Sequence, residues 1–270
     1  MGGLLGAAVA AGYPCYLEPR WLEATETRVA LPKAAWTAPL RILHLSDLHA
    51  SPFVPLGTIE HAINIGLATR PDIVCLTGDF VTVNESYDAA AYTRVLRHVA
   101  ASAPAYAVLG NHDGGRWTGD QYGASDHRQV DRLLEDSGIE LLHNRAKRIA
   151  VASKELNLVG VGDLWMGEVD GRRAFSGVDQ RLPTILMAHN PDSKDFVARD
   201  PWDVMLSGHT HGGQVLIPLV GPRFAPVADR RYVAGLKPWG DRQIYVTRGV
   251  GNIYGVRFRC RPEVSLLLIG

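Results

Sequence analysis

In the first half of the chain, apolar residues gather in short runs that alternate with segments of helical spacing. The runs at residues 41–46, 73–77 and 105–109 predict buried strands. Three helices are predicted between and after these strands, with N-caps at Thr58, Asp88 and Ser125. Because strands and helices alternate, this half favours βαβ units and a largely parallel sheet.

The second half of the chain is richer in strand patterns. Few helical spacings separate the strands predicted at 139–142, 148–152, 156–161, 185–188, 204–206, 215–217, 243–247 and 264–269. Two mixed sheets packed face to face, with helices outside them, accommodate both halves. The predicted fold class is therefore α/β, a four-layer α-β-β-α sandwich. No linker interrupts it, so residues 31–270 are predicted to form one domain after an apolar N-terminal segment, residues 1–30.

The start of the chain is unusually apolar. From Gly2 to Tyr16 nearly every residue is apolar or small, but this stretch is too short to span a bilayer. It also lacks the basic start of a signal peptide. Two interpretations stay open: the segment packs on the core of the domain, or it makes a peripheral membrane contact, alone or as part of a longer anchor.

Composition and charge narrow the class of protein. Apolar residues make up 46% and charged residues 21% of the chain, as in an ordinary globular domain. Lys plus Arg equals Asp plus Glu, at 28 each, so no basic excess suggests a nucleic-acid partner. The three cysteines form no Cys-x-x-Cys pair, which argues against a disulfide scaffold or a thiolate metal site. We therefore expect a reducing, cytoplasmic location.

Polar segments follow five of the predicted strands. They are Asp47-Leu48-His49, Gly78-Asp79, Gly110-Asn111-His112-Asp113, Ala188-His189-Asn190 and Gly208-His209-Thr210-His211. Ligands of open α/β sheets gather beyond the carboxyl ends of the strands, so all five segments are expected to meet in one crevice.

The side chains in these segments are carboxylates, imidazoles and an amide, which suit a hard-to-borderline divalent metal. In an extended segment, residues i and i+2 point the same way. We therefore expect Asp47 and His49 to face one centre, and His209 and His211 likewise. The neighbour of a ligand points elsewhere, so Asn111 is expected to face a metal while His112 faces another part of the site.

Each segment taken alone has an ordinary interpretation. Asp-x-His pairs are common in surface loops, Gly-Asn-His-Asp has the composition of a turn, and a single His189 is more often a core histidine. Their joint occurrence at strand ends is what favours a metal site. The remaining histidines are assigned no role: His44, His61, His98, His127 and His143.

As an ordered set, these motifs resemble the calcineurin-like metallophosphoesterases over roughly residues 40–250. Further runs resemble the bacterial branch that contains YkuE and YaeI and a UDP-2,3-diacylglucosamine pyrophosphatase of lipid A synthesis. Those runs lie at residues 189–192, 208–214, 231–235 and 256–263. Ser46 departs from the glycine that many relatives carry before the first aspartate.

The resemblance implies two divalent metal ions and assigns their ligands. The first ion would be held by Asp47, His49, Asp79 and His211. The second would be held by Asp79, Asn111, His189 and His209, so that Asp79 bridges the two. His112 would be the catalytic histidine, near its ordinary pKa, beside a phosphoester attacked by a metal-bridging hydroxide. Mn is the first expectation for the metal, with Fe and Zn as alternatives.

The expected substrate is a phosphodiester or pyrophosphate. Loops expected to border the site carry aromatic and other apolar side chains and three arginines: Phe53, Trp117, Tyr122, Trp165, Met166, Phe175, Phe224, Tyr232, Trp239, Arg172, Arg173 and Arg223. Together they suit UDP-2,3-diacylglucosamine, cleaved to lipid X and UMP at the inner face of the bacterial inner membrane, although singly each aromatic is more often part of the core. Three alternatives stay open: a broad phosphodiesterase or phosphatase acting on soluble compounds, a nuclease, disfavoured by the neutral charge, and a catalytically silent metallo-scaffold.

Overall fold

The computed structural model describes residues 12–34, 36–82, 86–122, 126–222 and 224–270. In chain order its strands are β1 (Glu23–Val29), β2 (Leu40–Leu45), β3 (Ile73–Thr77), β4 (Ala105–Val108), β5 (Glu140–Leu141), β6 (Arg145–Val151), β7 (Lys154–Gly160), β8 (Thr184–Met187), β9 (Val204–Ser207), β10 (Leu216–Ile217), β11 (Gly221–Pro222), β12 (Gly235–Trp239), β13 (Arg242–Val246) and β14 (Glu263–Ile269). One six-stranded sheet has the order β1-β14-β2-β3-β4-β5, and the other has the order β12-β13-β9-β8-β7-β6. β10 and β11 pair separately.

Helices cover the outer faces of the two sheets. They are α1 (Leu56–Leu67), α2 (Ala89–Ser102), α3 (Arg116–Tyr122), α4 (Arg128–Ser137) and α5 (Gly171–Ala174). Ile59, Leu96 and Leu134 pack α1, α2 and α4 on the first sheet. The outer face of the second sheet is covered by shorter segments that bring in Phe175 and Trp202.

Between the sheets lies a second apolar core, to which β2, β3, β7 and β9 contribute. Ile42 and Cys75 come from the first sheet, and Leu158 and Leu206 from the second. The predicted sandwich of two packed mixed sheets with helices outside is therefore confirmed. Its fourth layer consists of α5 and single helical turns rather than of long helices.

Parallel pairing determines where the strand ends fall. β2, β3 and β4 are parallel neighbours in the first sheet, as are β7, β8, β9 and β13 in the second. The carboxyl ends of neighbouring parallel strands lie at one edge of a sheet. The segments that follow β2, β3, β4, β8 and β9 are therefore brought to adjacent edges.

The helix starts differ in part from those predicted. Asp88 caps α2, where its carboxylate accepts from Ala91 N at 2.9 Å. The cap predicted at Thr58 is wrong: α1 begins at Leu56 after Pro55, without a side-chain cap. Pro55 occupies the N-cap position with an extended backbone, so the helix begins before Thr58 and Thr58 lies within its first turn. Ser125 lies outside the described residues, and α4 begins at Arg128.

Residues 23–29, which the sequence analysis placed in the N-terminal segment, instead form β1 at the edge of the first sheet. Its seven residues pair in parallel with β14. The sequence Glu-Ala-Thr-Glu-Thr-Arg-Val has little apolar periodicity, because an edge strand relies on its neighbour more than on its own buried side chains.

The described part of the apolar start packs on the end of the chain. Pro14 O accepts from Arg257 N at 2.8 Å, and the buried Glu18 carboxylate accepts from Cys260 N. The rest of that predicted segment, residues 1–11, lies outside the described residues. None of the helices in the described ranges combines the length and the apolar character needed to cross a bilayer.

Candidate metal centre

The seven side chains predicted as metal ligands lie together where the two sheets meet. Asp47 and His49 follow β2, Asp79 follows β3 and Asn111 follows β4. From the second sheet, His189 follows β8, while His209 and His211 follow β9. All seven are buried, with at most 4% of their surface exposed.

A first group of ligand atoms comes from Asp47, His49 and His211. One atom from each lies within 4.8 Å of the other two. His211 Nε2 is 3.4 Å from Asp47 Oδ1 and 3.2 Å from His49 Nε2. Three segments far apart in the chain therefore point their donor atoms at one small volume.

A second group comes from Asp79, His189 and His209, with the same spread of 4.8 Å or less. His189 Nε2 is 3.2 Å from Asp79 Oδ2 and 3.2 Å from His209 Nδ1. Asp79 Oδ2 is also 3.3 Å from His49 Nε2 of the first group. Asp79 consequently stands between the two groups, in the position of a shared ligand.

Hydrogen bonds on the far side of the rings fix which nitrogens face inward. His189 Nδ1 donates to Thr77 O at 2.6 Å, and His209 Nε2 donates to Pro226 O at 3.0 Å. When both imidazoles are neutral, His189 Nε2 and His209 Nδ1 therefore direct two lone pairs at each other across 3.2 Å. A metal ion between them removes this repulsion, and such outward hydrogen bonds are usual for metal-binding histidines.

The donor set fits divalent metals in two further respects. Asn111 Oδ1 is buried and has no hydrogen-bond partner among the described residues, so an acceptor is free at the site. Carboxylate, imidazole and amide donors without a thiolate suit Mn, Fe or Zn.

The backbone at the ligands is left-handed, contrary to the extended geometry that predicted their convergence. Positive φ angles occur at Asp47 (53°), His49 (47°), Asp79 (55°), His209 (68°) and His211 (50°). Each such residue costs on the order of 1 kcal/mol, and residues of this kind cluster at functional sites. The side chains thus converge because the chain turns sharply at each strand end, not because it continues as a strand.

Asp113 braces the site by accepting hydrogen bonds from the backbone of its turns, a role that its sequence motif did not reveal. Its carboxylate accepts from Asp79 N and Gly110 N, both at 2.8 Å, and from Phe80 N at 2.7 Å. The carboxylate therefore ties the turn after β3 to the turn after β4. Burial and the charge of Asp79 raise the pKa of Asp113 to about 7.

Arg257 is a second residue that sequence reasoning missed. Its buried guanidinium donates to carbonyl oxygens of Arg248, Gly249, Gly251 and Cys260. The chain that it gathers runs against Asp47, whose carbonyl oxygen accepts from Gly251 N at 2.6 Å. No local spacing signals this role, because the partners are backbone carbonyls reached only in the folded chain.

His112 lies beside the two groups without joining either. Its backbone N donates to Asp79 Oδ1 at 2.8 Å, and its ring centroid is 4.9 Å from that of His49. Burial lowers the pKa of His112 to about 4 in the metal-free chain, below the ordinary value expected from the sequence. The imidazole is therefore neutral at pH 7, and its Nδ1 has no hydrogen-bond partner among the described residues.

A cavity of about 400 Å³ opens on the two groups. Three of the predicted aromatic residues line it, namely Trp117, Trp165 and Phe224, and Ile253 and Tyr254 join them unpredicted. The rings of Trp117 and Trp165 lie 5.6 Å apart.

Other residues predicted to border the site lie elsewhere. Phe175 and Tyr232 are buried in the core behind the second sheet, which Trp239 packs against. Phe53, Met166, Arg172 and Arg173 do not line the cavity. Arg223 lies outside the described residues, as does the side chain of Tyr122. Aromatic composition alone could not separate core residues from cavity residues.

Comparisons with known proteins agree with this geometry. The sequence profile described as Calcineurin-like phosphoesterase matches residues 40–213. Phosphodiesterase YaeI of Escherichia coli (strain K12) is 46% identical over 256 residues, which cover 95% of this chain and 91% of that protein. The uncharacterized metallophosphoesterase YkuE of Bacillus subtilis (strain 168) is 29% identical over 272 residues, covering 99% of this chain and 92% of that protein. UDP-2,3-diacylglucosamine pyrophosphatase LpxG of Chlamydia trachomatis serovar D is 29% identical over 303 residues, covering 93% and 90%.

Replacing Asp113 by alanine should destabilise the fold even without metal. The change leaves three buried N–H groups without their acceptor, at about 1–3 kcal/mol each, so we expect the free energy of unfolding to fall by roughly 3 kcal/mol or more. Urea denaturation in the presence of a chelator measures this. Asp241→Ala, at a side chain 97% exposed, is the matched control and should change little. Equal midpoints for the two variants would show that Asp113 does not brace the site.

Proposed function

We propose that this chain, which belongs to the calcineurin-like phosphoesterase family, hydrolyses a phosphodiester or pyrophosphate bond at the junction of its two sheets. One observation carries the proposal: two groups of three ligand atoms converge side by side, and the carboxylate of Asp79 lies within 3.3 Å of both. This is the arrangement that a pair of metal ions sharing one carboxylate requires. The sequence carries all seven proposed ligands together with His112, which favours an enzyme over a silent scaffold.

The residues that would hold the ions follow from the grouping. Asp47, His49, Asp79 and His211 would hold the first ion, and Asp79, Asn111, His189 and His209 the second. Two divalent ions bound there would stabilise charge on phosphoryl oxygens and acidify a water molecule. We propose Mn as the native metal, with Fe and Zn suited to the same donors.

With two divalent ions bound, the charge balance at the site would favour a phosphate anion. Asp47 and Asp79 contribute two negative charges, whereas the four histidines and Asn111 contribute none when the imidazoles are neutral. Two divalent cations bring four positive charges, so a positive surplus remains in a largely buried site. An anionic phosphoester is attracted into it, and electrostatic attraction is stronger there than in bulk water.

His112 is proposed as the catalytic residue. In hydrolysis, a water oxygen bonds to phosphorus, the bond from phosphorus to the leaving oxygen breaks, and that oxygen needs a proton. His112 lines the cavity, and its backbone is held by Asp79. A phosphoester anion against the ring would favour the protonated imidazole over the neutral form of the empty site. His112 would then be positioned to donate a hydrogen bond to a phosphoryl oxygen and to deliver the proton to the leaving oxygen.

Aromatic side chains line the active-site cavity, which favours a substrate with an apolar or aromatic group next to its phosphate. Trp117, Trp165 and Phe224 stand around the opening, and a volume of about 400 Å³ holds one such group beside the phosphate. We propose UDP-2,3-diacylglucosamine as the substrate, which is supported by these side chains and by the name of the LpxG relative. A small soluble diester is the second candidate, favoured by the limited volume and by the name of the YaeI relative.

A lipid-linked substrate would also explain the exposed aromatic residues near the start of the chain. Tyr16 is 64% and Trp21 is 54% exposed, and each carries an arginine guanidinium over its ring, Arg20 at 4.3 Å and Arg261 at 4.2 Å. Aromatic rings beside cationic side chains are typical of contacts with anionic lipid surfaces. We therefore propose a peripheral contact of this face with the inner surface of the bacterial inner membrane.

This face and the active-site cavity share one lining residue. Tyr254 lines that cavity, and it also lines a neighbouring hollow together with Cys15, Arg20 and Phe53. A lipid chain lying along this hollow would stay close to the membrane while its phosphate reaches the metals.

Replacing His112 by glutamine should remove turnover but not metal. General acid–base catalysis typically contributes about 10²–10⁴-fold, so kcat should fall by that factor. Metal content, measured by elemental analysis, should stay at the parent level. His98→Gln, at an exposed histidine of α2, serves as the control. A folded His112 variant that has lost its metals would show that His112 is a ligand and that the proposed roles are wrong.

Substrate preference separates the two candidates. We expect a higher kcat/KM for UDP-2,3-diacylglucosamine than for bis-p-nitrophenyl phosphate, and the opposite order would remove the lipid proposal. Phe224→Ala should raise KM for the lipid substrate about tenfold, because part of an aromatic contact is lost. Phe196→Ala is the matched control: Phe196 is 66% exposed against 68% for Phe224, but it does not line the cavity.

Sedimentation with anionic phospholipid vesicles tests the membrane contact. The parent chain should pellet with the vesicles, and a Tyr16→Ser, Trp21→Ser variant should pellet less, because the aromatic anchors are gone. Phe196→Ser should pellet like the parent. A parent chain that remains in the supernatant would rule out the contact.

A further inference from the structure

Outside the site described above lies another cluster of side chains of the types that can ligate a metal. It contains His127, at the start of α4, His143, in the turn between β5 and β6, and Glu168. One ligand atom from each lies within 4.8 Å of the other two. The three side chains are half-buried, which leaves the cluster accessible to an ion from solvent.

His127 is oriented in the way that metal-binding histidines usually are. Its Nδ1 is hydrogen-bonded to Asp131 Oδ2 at 2.7 Å. A carboxylate on one ring nitrogen fixes the tautomer and leaves the other nitrogen, Nε2, as a free lone pair. Asp131 is one helical turn further along α4, so the orientation is built into the helix.

The contact between His143 and Glu168 is incomplete as it stands. His143 Nε2 is 3.8 Å from Glu168 Oε2, which is too long for a hydrogen bond. Two ligands on one tetrahedral zinc ion lie roughly 3.3 Å apart, given Zn–N and Zn–O bonds of about 2.0–2.1 Å. An ion placed between these side chains would draw them slightly closer together.

His127 and His143 stack, with ring centroids 5.5 Å apart at an interplanar angle of 26°, so two imidazolium charges there would repel each other. Burial lowers the pKa of His143, which favours the neutral, metal-binding form of that ring. With both rings neutral, the carboxylates of Glu168 and Asp131 leave two negative charges, which a divalent cation balances.

Glu168 is held in place by Asn144, the neighbour of His143. Asn144 Nδ2 donates to Glu168 O at 2.7 Å, while its Oδ1 accepts from Gly162 N at 2.9 Å and from Asp170 N at 3.0 Å. The loop that carries Glu168 is therefore fixed to the turn that carries His143. Two of the three ligands are pre-positioned by this one side chain.

We propose that His127, His143 and Glu168 bind a third divalent cation of the zinc type, with Asp131 orienting His127. Two imidazoles and one carboxylate around an ion with an open fourth position form a known kind of zinc site. The segment that carries His127 borders Gly114, and Glu168 Oε1 lies next to Gly115, where a Cβ would be 3.5 Å from it. Bound metal would thus tie the loop that carries Trp165 to the segment that leads into α3, which carries Trp117.

Metal counting on the 270-residue chain tests the proposal. After loading with excess Zn²⁺ and removal of free ion, the parent chain should carry one more zinc per chain than a His127→Gln, His143→Gln double variant. The matched control is a His61→Gln, His98→Gln double variant, which changes two exposed helical histidines and should carry the parent number. Equal zinc content in the parent and in the His127/His143 variant would overturn the proposal.

Diffraction at the zinc absorption edge gives an answer that does not depend on how the variants fold. Crystals of the zinc-loaded parent should show an anomalous peak flanked by His127, His143 and Glu168. A map with peaks only at the two groups of the candidate metal centre would overturn the proposal. The cluster would then consist of the ion pairs His127–Asp131 and His143–Glu168 without a metal. Because both experiments count metal rather than turnover, failure here would leave the proposed hydrolase function standing.

Discussion

The burial of the Asp79 carboxylate between two sheets is the constraint on which the rest of the structure depends. Removing an unpaired carboxylate from water is costly, so it must be met by donors or cations. The chain surrounds it with imidazoles from both sheets, His49 and His189, and with the backbone N–H of His112. Asp113 holds the turn in which Asp79 lies. A second buried carboxylate, Asp47, adds to the negative charge. Two divalent cations would balance this charge.

This constraint explains the architecture around it. The proposed ligands come from both sheets, which places the carboxyl ends of the parallel strands of the two sheets side by side. The backbone turns through left-handed conformations at five of these positions, which is unfavourable locally. The apolar core between the sheets and the hydrogen bonds of Arg257 to the surrounding carbonyls stabilise the strained turns.

Much of the fold and the positions of the site could be predicted from the sequence, because both leave local signals. Strands such as 73–77 are short apolar runs, and polar segments directly after them fall at a common edge by topology. The convergence of Asp79, Asn111 and His189 was predicted in this way. The left-handed turns were not predicted. An Asp-x-His or His-x-His spacing fits an extended strand as well as a turn, because both can bring residues i and i+2 to the same site.

What the sequence did not reveal depends on distant partners. The bracing by Asp113 and Arg257 consists of hydrogen bonds to the backbone of other segments, which carry no pattern in the sequence. β1 forms because β14 lies beside it. His127 and His143 were assigned no role, because only folding stacks their rings.

The most direct test of a shared carboxylate is the metal content of an Asp79→Asn variant, measured together with its hydrolysis of bis-p-nitrophenyl phosphate. We expect the parent chain to hydrolyse the diester only when two divalent ions are bound at the site. The folded variant should lose metal and hydrolysis together. A variant that keeps both ions and full turnover, or a parent chain that stays active after complete chelation, would contradict the role of Asp79 as a ligand shared by two catalytic ions.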